Sequence, residues 1–388
     1  MRYGFRRLLP AVLALMLLLV TLNAIGPSKS SRVPGQLDPF SLPQSIPVKP
    51  VRHSTFLEAW RVPLGSPLAG PLLESPGGIV ASLESGTIAA LSLEDGRILW
   101  KSERPEKPAG GPVVAGPYVV QAFAKGELSA LKLTDGSEAW VHDFEEPITH
   151  SATGSAEDVY LALDSAKLVA FHMEGSERWR ASLTSAPSTP PSACRGFVVV
   201  GTEGGTVESF ERKSGKLLWI ARTASPVRSP ILCHQGALYF GTGDNRMWAL
   251  SYSGRRKWRF PAGAQCVARP FALDRRIYFL SFDNYLYALK ARSGSLLLRV
   301  RLSHRLADEA FALGDRLYLS PYTSAKLLAL SLPDLVMAGE YHLEMEGDWF
   351  TTPPLKIGDR VFLGYGRYEG RILALKETLE PPAAKAGS

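Results

Sequence analysis

An all-β fold, an eight-bladed β-propeller of four-stranded antiparallel blades, is predicted by three features of this 388-residue chain. A unit of about 40 residues recurs along it, each unit alternates apolar and polar residues over short runs, and tight-turn dipeptides separate those runs. The content of 45% hydrophobic and 10% aromatic residues excludes disorder for most of the length. Three cysteines exclude a disulfide-stapled miniprotein. Of the formal charge of +7, five units lie on Arg2, Arg6, Arg7, Lys29 and Arg32, before the first acidic residue, Asp38, which leaves about +2 for the rest. With no long basic run and no nucleic-acid motif, no nucleic-acid partner is expected.

Taken in order, residues 1–25 read as a signal peptide or transmembrane anchor, because three arginines precede an apolar stretch from Leu8 to Ile25. A retained segment would keep its basic end in the cytoplasm. Leu22 is a poor residue for a cleavage site after Ala24. Residues 26–53 are rich in proline and serine and suit an extended linker.

The propeller is expected over residues 54–378, followed by a flexible tail, 379–388. Its repeats are marked by Ala90, Ala130, Ala170, Ser209, Ala249, Ala288, Ala329 and Ala374, at spacings of 40, 40, 39, 40, 39, 41 and 45. Eight markers imply eight blades, each with four short strands joined by Asp-Gly, Ser-Gly, Gly-Gly or Asp-Asn turns. The pairs Asp244-Asn245 and Asp283-Asn284 fall at one such turn in successive units, so turn chemistry explains them better than a calcium site. The last unit stops after its third strand, near Glu377, whereas the orphan piece 56–62 precedes the first unit and carries Trp60. The N-terminal strand is therefore expected to supply the outer strand of the last blade, removing an open edge.

Trp100, Trp140, Trp179, Trp219 and Trp258 each follow a glycine (Gly96, Gly136, Gly175, Gly215, Gly254) by four residues. This pattern resembles the repeat of the pyrroloquinoline-quinone-type propellers over roughly residues 55–378. It weakens where Leu298 and Ala338 stand in for the tryptophan and Asp334 for the glycine. The resemblance implies that the glycine permits the tight turn and that Trp60, Trp100, Trp140, Trp179, Trp219 and Trp258 dock against neighbouring blades.

Two branches share this repeat. Quinoprotein dehydrogenases hold the quinone and a calcium ion at the channel mouth, typically with a vicinal cysteine pair, a catalytic aspartate and large insertions. The non-enzymatic branch is represented by the outer-membrane assembly lipoprotein BamB. This chain has no vicinal cysteines and little room for insertions, and it resembles the second branch. It departs from BamB in having no cysteine before Cys194 to accept a lipid. The resemblance implies an extracytoplasmic, periplasmic scaffold with envelope or outer-membrane assembly proteins as partners; an uncleaved N-terminal segment would anchor it in the inner membrane, and the propeller is expected to be monomeric. No catalytic, metal-binding or cofactor-binding residue and no cofactor is expected. The alternative is a divergent quinoprotein oxidoreductase.

Residues outside the repeat pattern could bear chemistry or contacts. Arg228, Arg269, Asp308, Glu309 and His150 precede expected inner strands and are candidate channel-mouth groups, with a solvated, mutually neutralising set as the simpler reading. The long connection 337–354 places Tyr341, Trp349 and Phe350 outside the pattern, making them the candidate protein interface. Cys194 and Cys233 hold equivalent places in neighbouring units; three thiols are expected unless inner strands crowd within the roughly 7 Å that a bridge tolerates.

Overall fold

The computed structural model describes residues 52–302, 311–321, 324–345 and 347–380. The expected signal or anchor, nearly all of the linker and most of the tail lie outside the described residues. Eight four-stranded antiparallel sheets follow one another along the chain. Blade 1 comprises Leu73–Ser75, Gly78–Ser82, Thr87–Ser92 and Ile98–Glu103. Blades 2 to 7 repeat the plan over 113–143, 153–182, 192–222, 232–261, 271–301 and 311–342. Blade 8 takes three strands from 355–380, and its outer strand is His53–Pro63, paired antiparallel with Arg371–Glu380.

The sequence alternation is sharpest in the outer strands, because only they have one face in water. The middle strands are covered on both faces by adjacent blades, so Gly78–Ser82 and Asp158–Leu163 are buried throughout. Asp244 and Asp283 act at the expected hairpin turns, where Asn245 and Asn284 adopt φ of 60° and 68°. Asp283 accepts a hydrogen bond from the Tyr285 amide there.

Strand direction gives the ring two faces. Turns between first and second strands, and between third and fourth, lie on a lower face; Gly78, for example, pairs with Ser92 beside both turns of blade 1. The remaining turns and the connections between blades lie on the opposite, mouth face.

Blades are joined by one contact repeated six times. The indole Nε1 of Trp60, Trp100, Trp140, Trp179, Trp219 and Trp258 donates to the carbonyl of Leu93, Leu133, Met173, Arg212, Tyr252 and Ala291, in every case 33 residues further on and in the next blade. The ring rests on the turn glycine of that blade: Gly96, Gly136, Gly175, Gly215, Gly254 and Gly294 have φ from 69° to 95°. A Cβ added at any of them would meet the indole closer than 3.0 Å. Glycine is thus required twice, by backbone conformation and by the ring against it.

Two seams depart from this contact. In blade 7 the ladder places Gly339, not Ala338, opposite the marker Ala329, and it places Leu335, with φ of 57°, at the left-handed turn position assigned to Asp334. Counting misses this because turn length varies: Ala90 pairs with Trp100, ten residues on, but Ala170 with Trp179, nine on. Leu335 leaves no bare backbone to receive an indole, and blade 6 presents Leu298 in place of tryptophan. The Pro333 carbonyl instead accepts hydrogen bonds from Tyr278 Oη at 3.2 Å and Arg276 at 3.1 Å.

At the seam between blades 7 and 8 no receiving turn exists, because the fourth strand of blade 8 comes from the other end of the chain. A Cβ at Gly339 would strike the Ser54 carbonyl of that strand. A buried ion pair, Lys356 with Glu377, lies here, and Tyr318 Oη donates to Glu377 at 2.6 Å. Burial raises the Glu377 carboxyl, but hydrogen bonds from Lys356 and Tyr318 outweigh it and hold the group below its ordinary value.

Trp100→Ala should destabilise the protein by about 3–5 kcal/mol in denaturant unfolding, the usual range for truncating a packed large aromatic. Leu298→Trp alone should also destabilise, and Leu335→Gly should recover part of that loss in the double variant; additive effects would show that the two positions do not meet. Because the folded Glu377 carboxyl titrates below its unfolded value, its contribution is present at neutral pH and is lost as pH falls through the folded value. Glu377→Gln should therefore be less stable than wild type at pH 7 by roughly 3–5 kcal/mol, and the gap should narrow from about pH 5 downward in unfolding curves.

Candidate functional site

The channel mouth is assembled from one structurally equivalent position per blade, two residues before the first inner-strand residue. Pro71, Gly111, Ser151, Pro190, Pro230, Arg269 and Pro353 occupy it and line a cavity of approximately 430 Å³. Proline and glycine suit this position because the connection turns sharply beside its neighbours: a Cβ at Gly70 would meet the Gly111 amide nitrogen. Among these seven residues Arg269 alone is charged.

The candidate charges separate. Arg228 stands four residues before the inner-strand residue Leu232, whereas Arg269 stands two before Phe271, so the two arginines are not equivalent. Arg228 pairs with Glu203 of blade 4 at 2.6 Å and is not among the lining residues. Asp308 and Glu309 lie outside the described residues. His150 lines the cavity with Nε2 3.3 Å from the Pro187 carbonyl oxygen, and burial holds its imidazole below the usual range. No cluster of three metal-ligating side chains occurs among the described residues.

The three interface aromatics do not form one patch. Phe350 is 4% exposed, because its backbone bridges Tyr365 and turns the ring into the core between blades 7 and 8. Tyr341 packs against that same core from the outer strand. Trp349 remains at the surface of the mouth face, where Arg367 lies over its ring at 5.5 Å and over the Tyr368 ring at 5.2 Å. Tyr368 is 74% exposed. The surface aromatic group is therefore Trp349, Arg367 and Tyr368, of which the sequence reading found only the first. The available signal was the turn Gly366–Gly370, longer than its counterparts in blades 1 to 6.

Cys194 and Cys233 form a disulfide with Cα atoms 5.8 Å apart, joining the inner edges of blades 4 and 5, instead of remaining thiols. The inner strands converge around the channel and bring equivalent positions of adjacent blades within bridging range. Cys266 is buried, and burial pushes its thiol up to about 12. A second concavity, of approximately 240 Å³, opens at the seam that lacks tryptophan, between Val300 and Leu302 of blade 6 and Leu328, Leu330 and Met337 of blade 7.

Eight sequential blades, an N-terminal closing strand and indole-on-glycine docking define a propeller of the pyrroloquinoline-quinone-like repeat class. The chain belongs to the outer membrane protein assembly factor BamB family, whose profile matches residues 57–192 and 174–270. BamB of Shewanella oneidensis is 24% identical over 295 residues, covering 69% of this chain and 72% of that protein. BamB of Salmonella typhimurium is 23% identical over 257 residues, covering 62% and 58%, and BamB of Bordetella pertussis 23% over 168 residues, covering 41% and 44%. The chain thus spans less than two thirds of the last two relatives.

Among solved structures, BamB from Moraxella catarrhalis superposes with a TM-score of 0.68 at 15% identity, over 86% of this chain and 99% of that one. A quinohemoprotein alcohol dehydrogenase from Pseudomonas putida HK5 superposes almost as well, with a TM-score of 0.67 at 10% identity over 86% and 78%. At these identities both show the fold alone, which does not choose between assembly and oxidation.

Reducing the Cys194–Cys233 bridge should lower stability by about 2–4 kcal/mol, since the bridge restrains the unfolded chain across a sequence separation of 39 residues. Before reduction, native protein should take up no thiol reagent at Cys266; afterwards, mass spectrometry should show alkylation at the bridge cysteines.

Proposed function

We propose that this protein is a non-catalytic interaction scaffold of the bacterial envelope, working in outer-membrane protein assembly. Membership of the BamB family is the observation that carries this reading. The channel mouth agrees with it, because proline, glycine and serine hold six of the seven described equivalent positions. The disulfide suits an oxidising, extracytoplasmic compartment. Residues 1–25 would serve as export signal or as membrane anchor in place of a lipid.

In this reading Trp349, Arg367 and Tyr368 are the partner-binding surface. Aromatic and arginine side chains on a rigid face are favoured interface anchors, and these three stack on one another without being buried. The partner class is other components of the outer-membrane assembly machinery.

Affinity purification of the membrane-associated protein should bring down defined outer-membrane assembly proteins. The double variant Trp349→Ala, Tyr368→Ala should fold normally yet weaken capture about thirtyfold, the equivalent of roughly 2 kcal/mol. Purified protein given pyrroloquinoline quinone and calcium should bind neither saturably. Micromolar quinone binding that Arg269→Ala abolishes would overturn the scaffold reading in favour of a cofactor site at the mouth.

A further inference from the structure

We propose that the lower face of blades 4 to 6 docks on an anionic lipid bilayer. Its turns present Arg195 and Lys216 in blade 4, Arg255 and Arg256 in blade 5, and Lys290 and Arg292 in blade 6, all exposed. None of the six makes an ion pair with another described residue, although many cations elsewhere are paired, such as Arg104 with Glu127 and Lys107 with Glu84. The corresponding turns of blades 1 to 3 carry Glu94, Asp95, Asp135, Glu157 and Glu174 beside Arg97 and Lys132, whereas the acids at the turns of blades 4 and 6 are Glu211 and Asp274. The charge balance at these turns is therefore basic across blades 4 to 6 and acidic across blades 1 to 3.

The occupant follows from how the cations are arranged and from what accompanies them. They stand on three successive blades instead of converging on one pocket, which suits an extended anionic surface better than a single bound anion. Leu217 and Leu218, 46% and 48% exposed, adjoin Lys216 at the foot of the blade 4 outer strand. Exposed leucines interspersed with cations are the composition that engages both acyl chains and headgroups at a membrane interface.

The path of the chain provides an independent observation. His53 pairs with Glu380, four residues beyond Lys376, which pairs with Arg360 next to the lower turn of blade 8. The described chain therefore begins on the lower face. Residues 1–51, with their apolar stretch from Leu8 to Ile25, join the propeller there. Residue 52, where the described chain begins, thus lies on the face that carries these cations. The proposal rests to this extent on the reading of residues 1–25 as a membrane segment.

Lysine acetylation read by mass spectrometry tests the proposal on the full chain in lipid nanodiscs of phosphatidylcholine, alone or with about a quarter phosphatidylglycerol. Lys216 and Lys290 should react severalfold more slowly in the phosphatidylglycerol discs at low salt, and at the phosphatidylcholine rate in high salt, which screens the attraction. Lys125, on the mouth face, should react equally in both. Arg255→Glu with Arg256→Glu should abolish the protection at Lys290 without changing the melting temperature, since both side chains are exposed.

Equal labelling of Lys216 and Lys290 in the two discs would overturn the proposal. Protection that appears in both discs only after envelope proteins are added would also overturn it and assign the face to a protein. A chain that does not enter the discs refutes the anchor reading alone; the same labelling is then done with vesicles of the two compositions, and equal rates there again overturn the docking proposal.

Discussion

The ring depends on a tryptophan of one blade lying flat on the turn glycine of the next. The indole supplies a large apolar face and one N–H, and the turn supplies a backbone free of Cβ and one carbonyl. Neither half works without the other, since a side chain on the turn would occupy the space of the ring. For that reason both are lost together in blades 6 and 7, where Leu298 and Leu335 replace them and a groove opens alongside. Tyr278 and Arg276 then take over the hydrogen bonding, by reaching the Pro333 carbonyl.

Closure imposes a second constraint on the same contact. Borrowing an N-terminal strand removes the sheet edge of blade 8, but it also removes the turn on which blade 7 would have docked an indole. The seam uses other chemistry: a glycine at position 339 lets the borrowed strand approach, and the buried Lys356–Glu377 pair with Tyr318 holds blades 7 and 8 together. Breaking such a pair is costly because it strands a charge away from water. Closure also determines that the described chain begins on the lower face.

The proposed functional surfaces lie where the repeat leaves residues free. The mouth consists of short connections that meet at one equivalent position per blade, and small or cyclic residues fill most of it. The connection into blade 8 is longer, and with the Gly366–Gly370 turn it brings an arginine between two aromatic rings. An assembly factor and an alcohol dehydrogenase superpose on this propeller almost equally, so the fold alone does not distinguish their functions.

By itself the sequence determined the repeat, the eight blades, their strand order, the closing role of the segment around Trp60, and the tryptophans as recurring elements. These are legible because alternation, turn dipeptides and a period of about 40 residues are signals carried along the chain. The tertiary structure alone decided the rest. The offset of one residue at Gly339 and Leu335 is settled by a hydrogen-bond ladder, since turns of unequal length make counting ambiguous. The Cys194–Cys233 bridge depends on which positions of adjacent blades converge at the axis, and burial of Phe350 and the separation of Arg228 from Arg269 on how each connection enters its blade. The basic half of the lower face is invisible as a run in the sequence, because its members lie about one blade apart along the chain and become neighbours only when the blades are ranged side by side.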